Sequence, residues 1–146
     1  MKLKIKRVRP YAQVPKQATA GSAGSDLYAA LEEPLSIPAG AIRSIPTGIA
    51  AEPDTDSVAL LIFPRSGLAS KHGIALANAI GLVDSDYRGE ICVPLINLGK
   101  EAFTIEPGMR IAQLVVSPIL LPEIEVTDTL TETQRGAGGF GSTGLT

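Results

Sequence analysis

Arginines flanked by small residues are the first feature of this chain that could do chemistry. Arg65, Arg88 and Arg135 stand in the segments Pro-Arg-Ser-Gly, Tyr-Arg-Gly and Gln-Arg-Gly, and Arg110 follows a Pro-Gly turn. A guanidinium beside Gly or Ser lets backbone amides reach the same anion as the arginine fork. Any one of these arginines could simply be a surface residue at a turn. As a set, among only 13 basic residues, they predict a ligand with several phosphates.

Acidic residues near such a site would supply the second half of the chemistry. Asp84 directly follows an apolar stretch, where a carboxylate beside a phosphate could deprotonate water; a turn former is the equal alternative. For Asp86 a turn former is the preferred interpretation. Asp26 either caps a strand or offers a carboxylate to Mg²⁺, which keeps several waters and takes one or two carboxylates.

The segment 135–144 is the most unusual in the chain, with five glycines around one Phe and two hydroxyl residues. Its formal G-x-G-x-x-G match is weak, because no βαβ unit surrounds it. A disordered tail is one interpretation. The alternative is an arm that folds over a nucleotide, with Phe140 on the base and Arg135, Ser142 and Thr143 on phosphate.

The elements that must position these residues are short strands and turns. Residues 2–6 alternate lysine with apolar residues, which predicts a half-buried edge strand guarded by lysines. Apolar runs of strand length follow at 57–63, 90–97 and 110–116. Turn residues recur at about 8 to 12 positions, the spacing of a β-sandwich or barrel. One short helix is predicted at 66–71, stopped by Gly73.

Composition predicts one globular domain and excludes several classes of protein. The 146 residues are 45% hydrophobic and 19% charged, which argues against disorder, and 15 Gly with 11 Pro argue against a helical bundle. A net charge of −2 and 4% aromatic residues argue against nucleic-acid or membrane partners. Since the chain has no signal-peptide pattern and no long apolar run, we expect a cytoplasmic protein.

The single cysteine and the single histidine exclude other chemistries. Cys92 alone can form neither an internal disulfide nor a thiolate zinc site, and we interpret it as a small core residue. His72 in Lys-His-Gly is better explained as a helix-end or interface residue than as a catalyst.

Five segments, in order, resemble the five sequence motifs of the trimeric dUTPases, the deoxyuridine triphosphate nucleotidohydrolases. They are residues 23–27, 64–69, 78–89, 110–113 and 135–144. Each segment is weakly specific alone, but all five in this order and spacing are very specific and span nearly the whole chain. One departure is Ser25, where an aromatic or larger residue is common in the family.

The resemblance implies an all-β fold, a jelly-roll-like β-barrel with one short helix and a flexible Gly-rich C-terminal arm. Residues 1–134 would form the β-barrel catalytic domain, and residues 135–146 the mobile arm that closes over the active site. The chain would assemble as a homotrimer with its active sites at the subunit interfaces.

The reaction implied by the resemblance is Mg²⁺-assisted hydrolysis of dUTP to dUMP and pyrophosphate, which limits uracil in DNA and supplies dUMP for dTMP synthesis. Asp84 would orient and deprotonate the water that attacks the α-phosphorus. Gln113 would hold the α-phosphate or that water, and Asp26 would bind Mg²⁺ through its waters. For Arg110, a phosphate contact and a structural role are equally open.

The same resemblance implies how the substrate is held. Asn78 and the backbone near Leu82 and Val83 would read the uracil edge in a hairpin too tight for the thymine methyl. Tyr87 would pack under the deoxyribose and exclude a 2′-hydroxyl. The residues expected to hold phosphates in the barrel are Arg65, Ser66 and Gly67. The arm would contribute Arg135, Phe140, Gly141, Ser142 and Thr143.

Two other functions remain open from the residues. The related dCTP deaminases share the barrel and the Arg-Ser segment but resemble this chain less in the tail. They use a Glu as base, for which Glu90 is the only nearby candidate. A non-catalytic nucleotide-binding trimer is disfavoured because Asp84, Asp26 and the arm are all present.

Overall fold

A computed structural model of the chain describes residues 1–139. These residues form eleven short strands and one helix, α1 (Ser66–His72). The strands are β1 (Leu3–Arg7), β2 (Ser25–Tyr28), β3 (Leu35–Ile37), β4 (Ile42–Pro46), β5 (Ile49–Pro53), β6 (Val58–Pro64), β7 (Ile74–Leu76), β8 (Gly81–Val83), β9 (Cys92–Asn97), β10 (Phe103–Ile105) and β11 (Arg110–Pro118). Across this part of the chain, no helix has the length and apolar character needed to cross a membrane.

The strands pair in four antiparallel sheets that stay open. The largest has the order β2-β11-β6-β8, the next β4-β9-β7, and β1-β5 and β10-β3 are two-stranded. The prediction of a mostly β fold with one short helix is confirmed, but the prediction of a closed barrel is wrong for the described residues. Proline occupies the last position of β4, β5, β6 and β11, where a missing N–H stops the hydrogen-bonded ladder.

One hydrophobic core lies between all four sheets. Nine strands each contribute a large, fully buried aliphatic side chain, namely Leu27, Ile37, Ile45, Ile49, Leu60, Ile74, Leu95, Ile105 and Ile111. The run of buried residues in β6 explains its central place beside β11. Because close-packed interiors resist displacement, this shared core holds polar residues on different sheets at fixed positions.

Strand β1 has the expected edge-strand character. Leu3 and Ile5 are half-buried, the residues between and beyond them are exposed, and the strand pairs with β5. The ammonium group of Lys4 lies 2.6 Å from a carboxylate oxygen of Glu52 on that neighbouring strand.

The helix occupies its predicted place and ends one residue later than expected. Gly73 ends it with a φ of 68°, a left-handed conformation that favours glycine. A Cβ at this position would also lie 2.7 Å from the backbone nitrogen of Gly99. His72 is the last helical residue, as predicted for a helix end, and its ring centroid lies 4.9 Å from that of Phe103.

The prediction that Cys92 is a core residue is wrong, since its side chain is exposed. Cys92 begins β9, whose residues alternate strictly between the two faces of the sheet, and Val93 and Leu95 occupy the inward positions. An apolar run therefore identified the strand but not which of its residues face inward.

Candidate active site

A buried carboxylate between two arginines joins three neighbouring strands. The Asp26 side chain is 5% exposed, and its Oδ1 and Oδ2 lie 3.2 Å from Arg65 Nε and 3.2 Å from Arg110 Nη1, respectively. Asp26 lies in β2, Arg110 begins the adjacent β11, and Arg65 directly follows β6 on the far side of β11. Two guanidinium groups against one carboxylate leave a surplus positive charge, so this cluster favours an anion.

The residues after Arg65 can add backbone donors to the same anion. Ser66 and Gly67 form the first turn of α1, where N–H groups have no intrahelical partner, and no side chain caps this helix. Both residues are exposed, and a Cβ on Gly67 would meet nothing within 4 Å. The segment 64–69 is therefore open to a ligand such as a phosphate group.

A cleft of about 440 Å³ borders Asp26 and Arg110 and includes Lys16 and Tyr28. Asp26 Oδ1 is buried and accepts no hydrogen bond in the described part of the chain, since its contact with Arg65 is an ion pair without hydrogen-bond geometry. Among residues 1–139, no three His, Cys, Asp or Glu side chains are grouped to hold a metal. The donor set therefore does not fit a direct protein cage for Mg²⁺. It fits a hydrated Mg²⁺ whose other ligands are the phosphate oxygens that the two arginines attract, with Asp26 at the cleft accepting from one of its waters.

Gln113 lies beside this cluster. In the pairing of β11 with β2 it stands directly opposite Asp26, so the two side chains share one face of the sheet with their Cβ atoms about 5 Å apart. A Cβ on Gly24 would lie 3.3 Å from the Cβ of Gln113, so a glycine there leaves room for the half-buried amide.

A second cleft, of about 310 Å³, lies at the opposite edge of the same sheet. Its lining residues are Leu82, Val83, Asp84, Tyr87, Glu90, Ile91 and Cys92. Strand β8 is the edge strand here and pairs with β6 on one side only. The backbone groups on its other side are available to a ligand, as at any exposed sheet edge.

Tyr87 is held across this cleft by its own loop, residues 84–90, which joins β8 to β9 in a different sheet and so does not form the expected hairpin. Its hydroxyl donates to the carbonyl oxygen of Glu90 at 3.1 Å, and its N–H donates to the carbonyl of Asp84 at 3.2 Å. A Cβ on Gly89 would collide with the phenol oxygen and lie 2.5 Å from Cζ of Tyr87. The ring therefore rests on a backbone surface that only glycine provides, and Asp84 is left exposed at the cleft.

Glu90 is engaged by partners that the sequence did not reveal. Arg9 Nε lies 2.6 Å from Oε1 and 2.7 Å from Oε2 of Glu90, and the N–H of Gly48 donates to Oε1 at 2.9 Å. The hydrogen bond with Glu90 raises the pKa of Arg9. A carboxylate so committed is poorly suited to act as a base. The signal in the sequence was the excess of basic residues in the first nine positions, of which Lys4 and Arg9 pair with distant acids.

The predicted site residues thus fall into two groups. Asp26 on β2 and the second cleft at β8 lie at opposite edges of one sheet, three strand spacings or about 14 Å apart, whereas Arg65, Ser66 and Gly67 follow β6, the neighbour of β8. Asn78 belongs with the second group, since its amide nitrogen lies 3.8 Å from the Cβ position of Gly81. Arg135 joins neither group, and its Nε donates to the carbonyl oxygen of Gly138 at 2.7 Å. The predicted residues Phe140, Gly141, Ser142 and Thr143 lie outside the described residues.

Comparisons with known proteins show the family of the chain. A family model for dUTPase matches residues 10–144. The deoxyuridine 5'-triphosphate nucleotidohydrolase of Rickettsia felis (strain ATCC VR-1525 / URRWXCal2) is 56% identical over 145 residues, covering 98% of this chain and 97% of the relative. The enzyme of the same name from Desulfitobacterium hafniense (strain Y51) is 51% identical over 147 residues, covering 99% and 97%. The structure of the Staphylococcus bacteriophage 80alpha dUTPase with dUPNHPP is similar with a TM-score of 0.87 at 25% identity, over 99% of both chains. The chain therefore belongs to the dUTPase family.

Proposed function

We propose that this protein hydrolyses dUTP to dUMP and pyrophosphate with the help of Mg²⁺, and so limits uracil in DNA and supplies dUMP for dTMP synthesis. Family membership over residues 10–144 and relatives named as dUTP nucleotidohydrolases support the reaction. The observation that carries the proposal is the pairing, on one sheet, of a cationic cluster suited to phosphates with a cleft that holds an exposed carboxylate.

Asp84 is the proposed base. It is exposed at the cleft, and the carbonyl oxygen of the same residue accepts the N–H of Tyr87, which fixes the start of the loop 84–90. Its carboxylate would take a proton from the water that attacks the α-phosphorus. Phosphoryl transfer depends mainly on positioning and charge stabilisation, so no side-chain nucleophile is required.

The phosphate chain would lie against Arg65, Ser66 and Gly67, with Gln113 on the α-phosphate or the attacking water. The surplus charge of the Asp26 cluster supports this placement, and the ion pair of Arg110 with Asp26 supports a structural role for Arg110. Bound Mg²⁺ would neutralise charge on the phosphates. Asp26 is the residue proposed to hold it, through a water, since this carboxylate borders the first cleft and its Oδ1 accepts no hydrogen bond among the described residues.

The second cleft would select the base and the sugar. The free edge of β8 at Leu82 and Val83, with the nearby amide of Asn78, can pair with the polar edge of uracil. A tight fit between this edge and the loop 84–90 would reject the methyl group of thymine. Tyr87, braced against Gly89, would pack under the deoxyribose and exclude a 2′-hydroxyl.

A homotrimer would bring the two groups of residues together. In one chain Asp26 and the base cleft lie at opposite edges of a sheet about 14 Å wide, and β8 leaves its outer edge unpaired, so a second copy is proposed to complete the site around one nucleotide. Residues 119–139 form neither strand nor helix, and they expose five large apolar side chains. These are Leu120, Leu121, Ile124, Val126 and Leu130. Several large apolar side chains exposed within one short segment favour an interface.

The division of the chain belongs to the same proposal. Residues 1–134 would form the catalytic domain, and residues 135–146 would be the arm that closes over the nucleotide. Closing arms exclude water and complete a site. Deleting residues 135–146 should remove most activity and leave the oligomer intact, as measured by size-exclusion chromatography with light scattering.

The reaction is tested by pyrophosphate release with dUTP, dCTP, dTTP and UTP. We expect dUTP to be turned over far faster than the other three. Asp84→Asn should lower kcat by at least about 100-fold, the usual worth of a general base, while dUTP still binds. Asp86→Asn is the matched control, since it removes an exposed carboxylate two residues away in the same loop. Full turnover in Asp84→Asn would remove this residue from the mechanism, and ammonia release from dCTP would indicate a deaminase.

A further inference from the structure

Glu90 contacts both the N-terminal segment and the ring of Tyr87, which belongs to the same loop, residues 84–90. Its side chain is 17% exposed and is contacted by Arg9 and by the backbone N–H of Gly48. Its carbonyl oxygen accepts the hydroxyl of Tyr87. One residue therefore connects a charged contact from residue 9 to the ring at the cleft.

We infer that Glu90, held by Arg9, is a positioning residue for Tyr87 and thereby sets how strongly the enzyme rejects a ribonucleotide. This inference rests on the proposed function, in which Tyr87 packs under the deoxyribose. Neither Glu90 nor Arg9 touches the reacting atoms in that scheme. Their effect is transmitted through the orientation of the Tyr87 ring.

Packing alone does not fix that ring. Tyr87 is 46% exposed, so much of its side chain has no protein neighbour. The contacts that define its position are the hydroxyl bond to Glu90 and the close approach to Gly89. Both are contacts with the backbone of residues 89–90, so a shift of this backbone would move the ring directly.

The backbone at Glu90 is in turn fastened to the turn at residues 47–49. Ile91 donates its N–H to the carbonyl of Ile49 at 2.9 Å and accepts the N–H of Thr47 at 3.3 Å. Gly48 donates to Glu90 and accepts the N–H of Val8 at 2.7 Å. Gly48 thus places the N-terminal segment and the loop 84–90 side by side, which brings the Arg9 guanidinium onto the Glu90 carboxylate.

The Glu90 side chain is more buried than the side chains of the other ion pairs in this region. Arg88 lies 3.7 Å from Glu52, and Lys4 lies 2.6 Å from the same residue, but all three side chains are 40% exposed or more. Exposed pairs contribute little, whereas a mostly buried carboxylate with charge-assisted hydrogen bonds holds its geometry strongly. Arg9 is half exposed, but its partner Glu90 is mostly buried and accepts hydrogen bonds from both Arg9 and Gly48, so this pair is the one suited to position the loop 84–90.

The experiment measures kcat and KM for dUTP and UTP in full-length Glu90→Gln and Arg9→Gln. We expect both to lower the dUTP-over-UTP preference in kcat/KM by about tenfold, chiefly through a lower KM for UTP, because a displaced Tyr87 ring no longer excludes the 2′-hydroxyl. Arg9→Lys should restore most of the preference. The double variant should be no worse than Glu90→Gln, since the two residues act as one unit. Lys4→Gln, which breaks an exposed pair on β1, is the control and should match wild type.

Hydrogen exchange of residues 84–90 gives a readout independent of turnover. The Tyr87 amide, bonded to the Asp84 carbonyl, should exchange faster in Glu90→Gln and Arg9→Gln and at the wild-type rate in Lys4→Gln. A wild-type preference for dUTP that both variants retain would overturn the inference. If wild type shows no such preference, the proposed function fails, and unchanged exchange in both variants would then overturn the positioning role as well.

Discussion

Replacing Asp26 with Asn should destabilise the protein more than removal of an exposed carboxylate. Asp26 is nearly fully buried, and its two oxygens face Arg65 and Arg110 at 3.2 Å each. The substitution preserves size and shape but removes the negative charge. Two guanidinium groups would then face each other across a neutral amide that can accept a hydrogen bond from only one of them.

The magnitude follows from the geometry. At 3.2 Å and an effective dielectric constant of about 20, each charge pair is attracted by about 5 kcal/mol before desolvation is subtracted. Breaking a buried pair costs about 3–5 kcal/mol, and this must be reduced because Arg110 is half exposed and the Asn oxygen remains. We expect a loss of about 2–3 kcal/mol, which corresponds to a fall in Tm of about 5–10 °C for a chain of this size.

Urea denaturation at neutral pH and one fixed protein concentration measures this loss, since the stability of an oligomer depends on concentration. Glu52→Gln is the control, because it also removes an acid with two cationic neighbours but on the exposed surface, and its midpoint should stay near that of wild type. Adding Arg110→Gln to Asp26→Asn should cost less than the sum of the two single changes, because both act on one pair.

A midpoint for Asp26→Asn equal to that of Glu52→Gln would refute the reasoning. It would mean that the two arginines find solvent or other acceptors without loss, and that the cluster carries no surplus positive charge of structural consequence. Strict additivity in the double variant would separately show that Asp26 and Arg110 do not interact energetically.

Three further predictions rest on single contacts. Gly73→Ala should cost about 3 kcal/mol and Gly40→Ala about 1 kcal/mol in urea denaturation, because both have positive φ but only Gly73 has backbone within 2.7 Å of the new Cβ; equal costs would contradict this. Gly89→Ala should lower kcat/KM for dUTP by about tenfold or more, since Tyr87 must leave its place, and unchanged kinetics would show that the ring position is unimportant. Although the Cys92 side chain is exposed, partial desolvation of its sulfur and the nearby charge of Glu90 raise the pKa of the thiol, so iodoacetamide at pH 8 should alkylate the native protein more slowly than the urea-unfolded chain. The stability contributed by the neutral thiol should fall as the pH rises through the pKa of the folded state; equal alkylation rates would contradict the shift.

The local features of the fold could be predicted because neighbouring residues determine them. The alternation in β1 and the helix with its terminal glycine depend on residues within a few positions of one another, and both are found where expected. The apolar runs located β6, β9 and β11 to within a few residues. Their inward and outward faces were harder, as Cys92 illustrates, because a continuous apolar run carries no period.

The open sheets could not be predicted from the same patterns. Turn spacing is compatible with a barrel or with separate sheets, and the choice depends on which strands exchange hydrogen bonds. Strand β1 pairs with β5 and β3 with β10, across many intervening residues, and no local pattern specifies such partners. The prolines at strand ends were visible in the sequence, but their effect on closure depends on the neighbours that each strand acquires.

What the sequence by itself determined is the chemistry available to this protein: the basic residues beside glycines, the carboxylates after strands, and the order of five motifs that match the family. What only the tertiary structure decided is which of these groups meet. Asp26 and Arg110 are 84 positions apart, and Arg9 and Glu90 are 81 apart, yet each pair is in direct contact. Contacts at such separations exist only once the shared core has fixed the strands, because the unfolded chain has no local force that would bring their charges together.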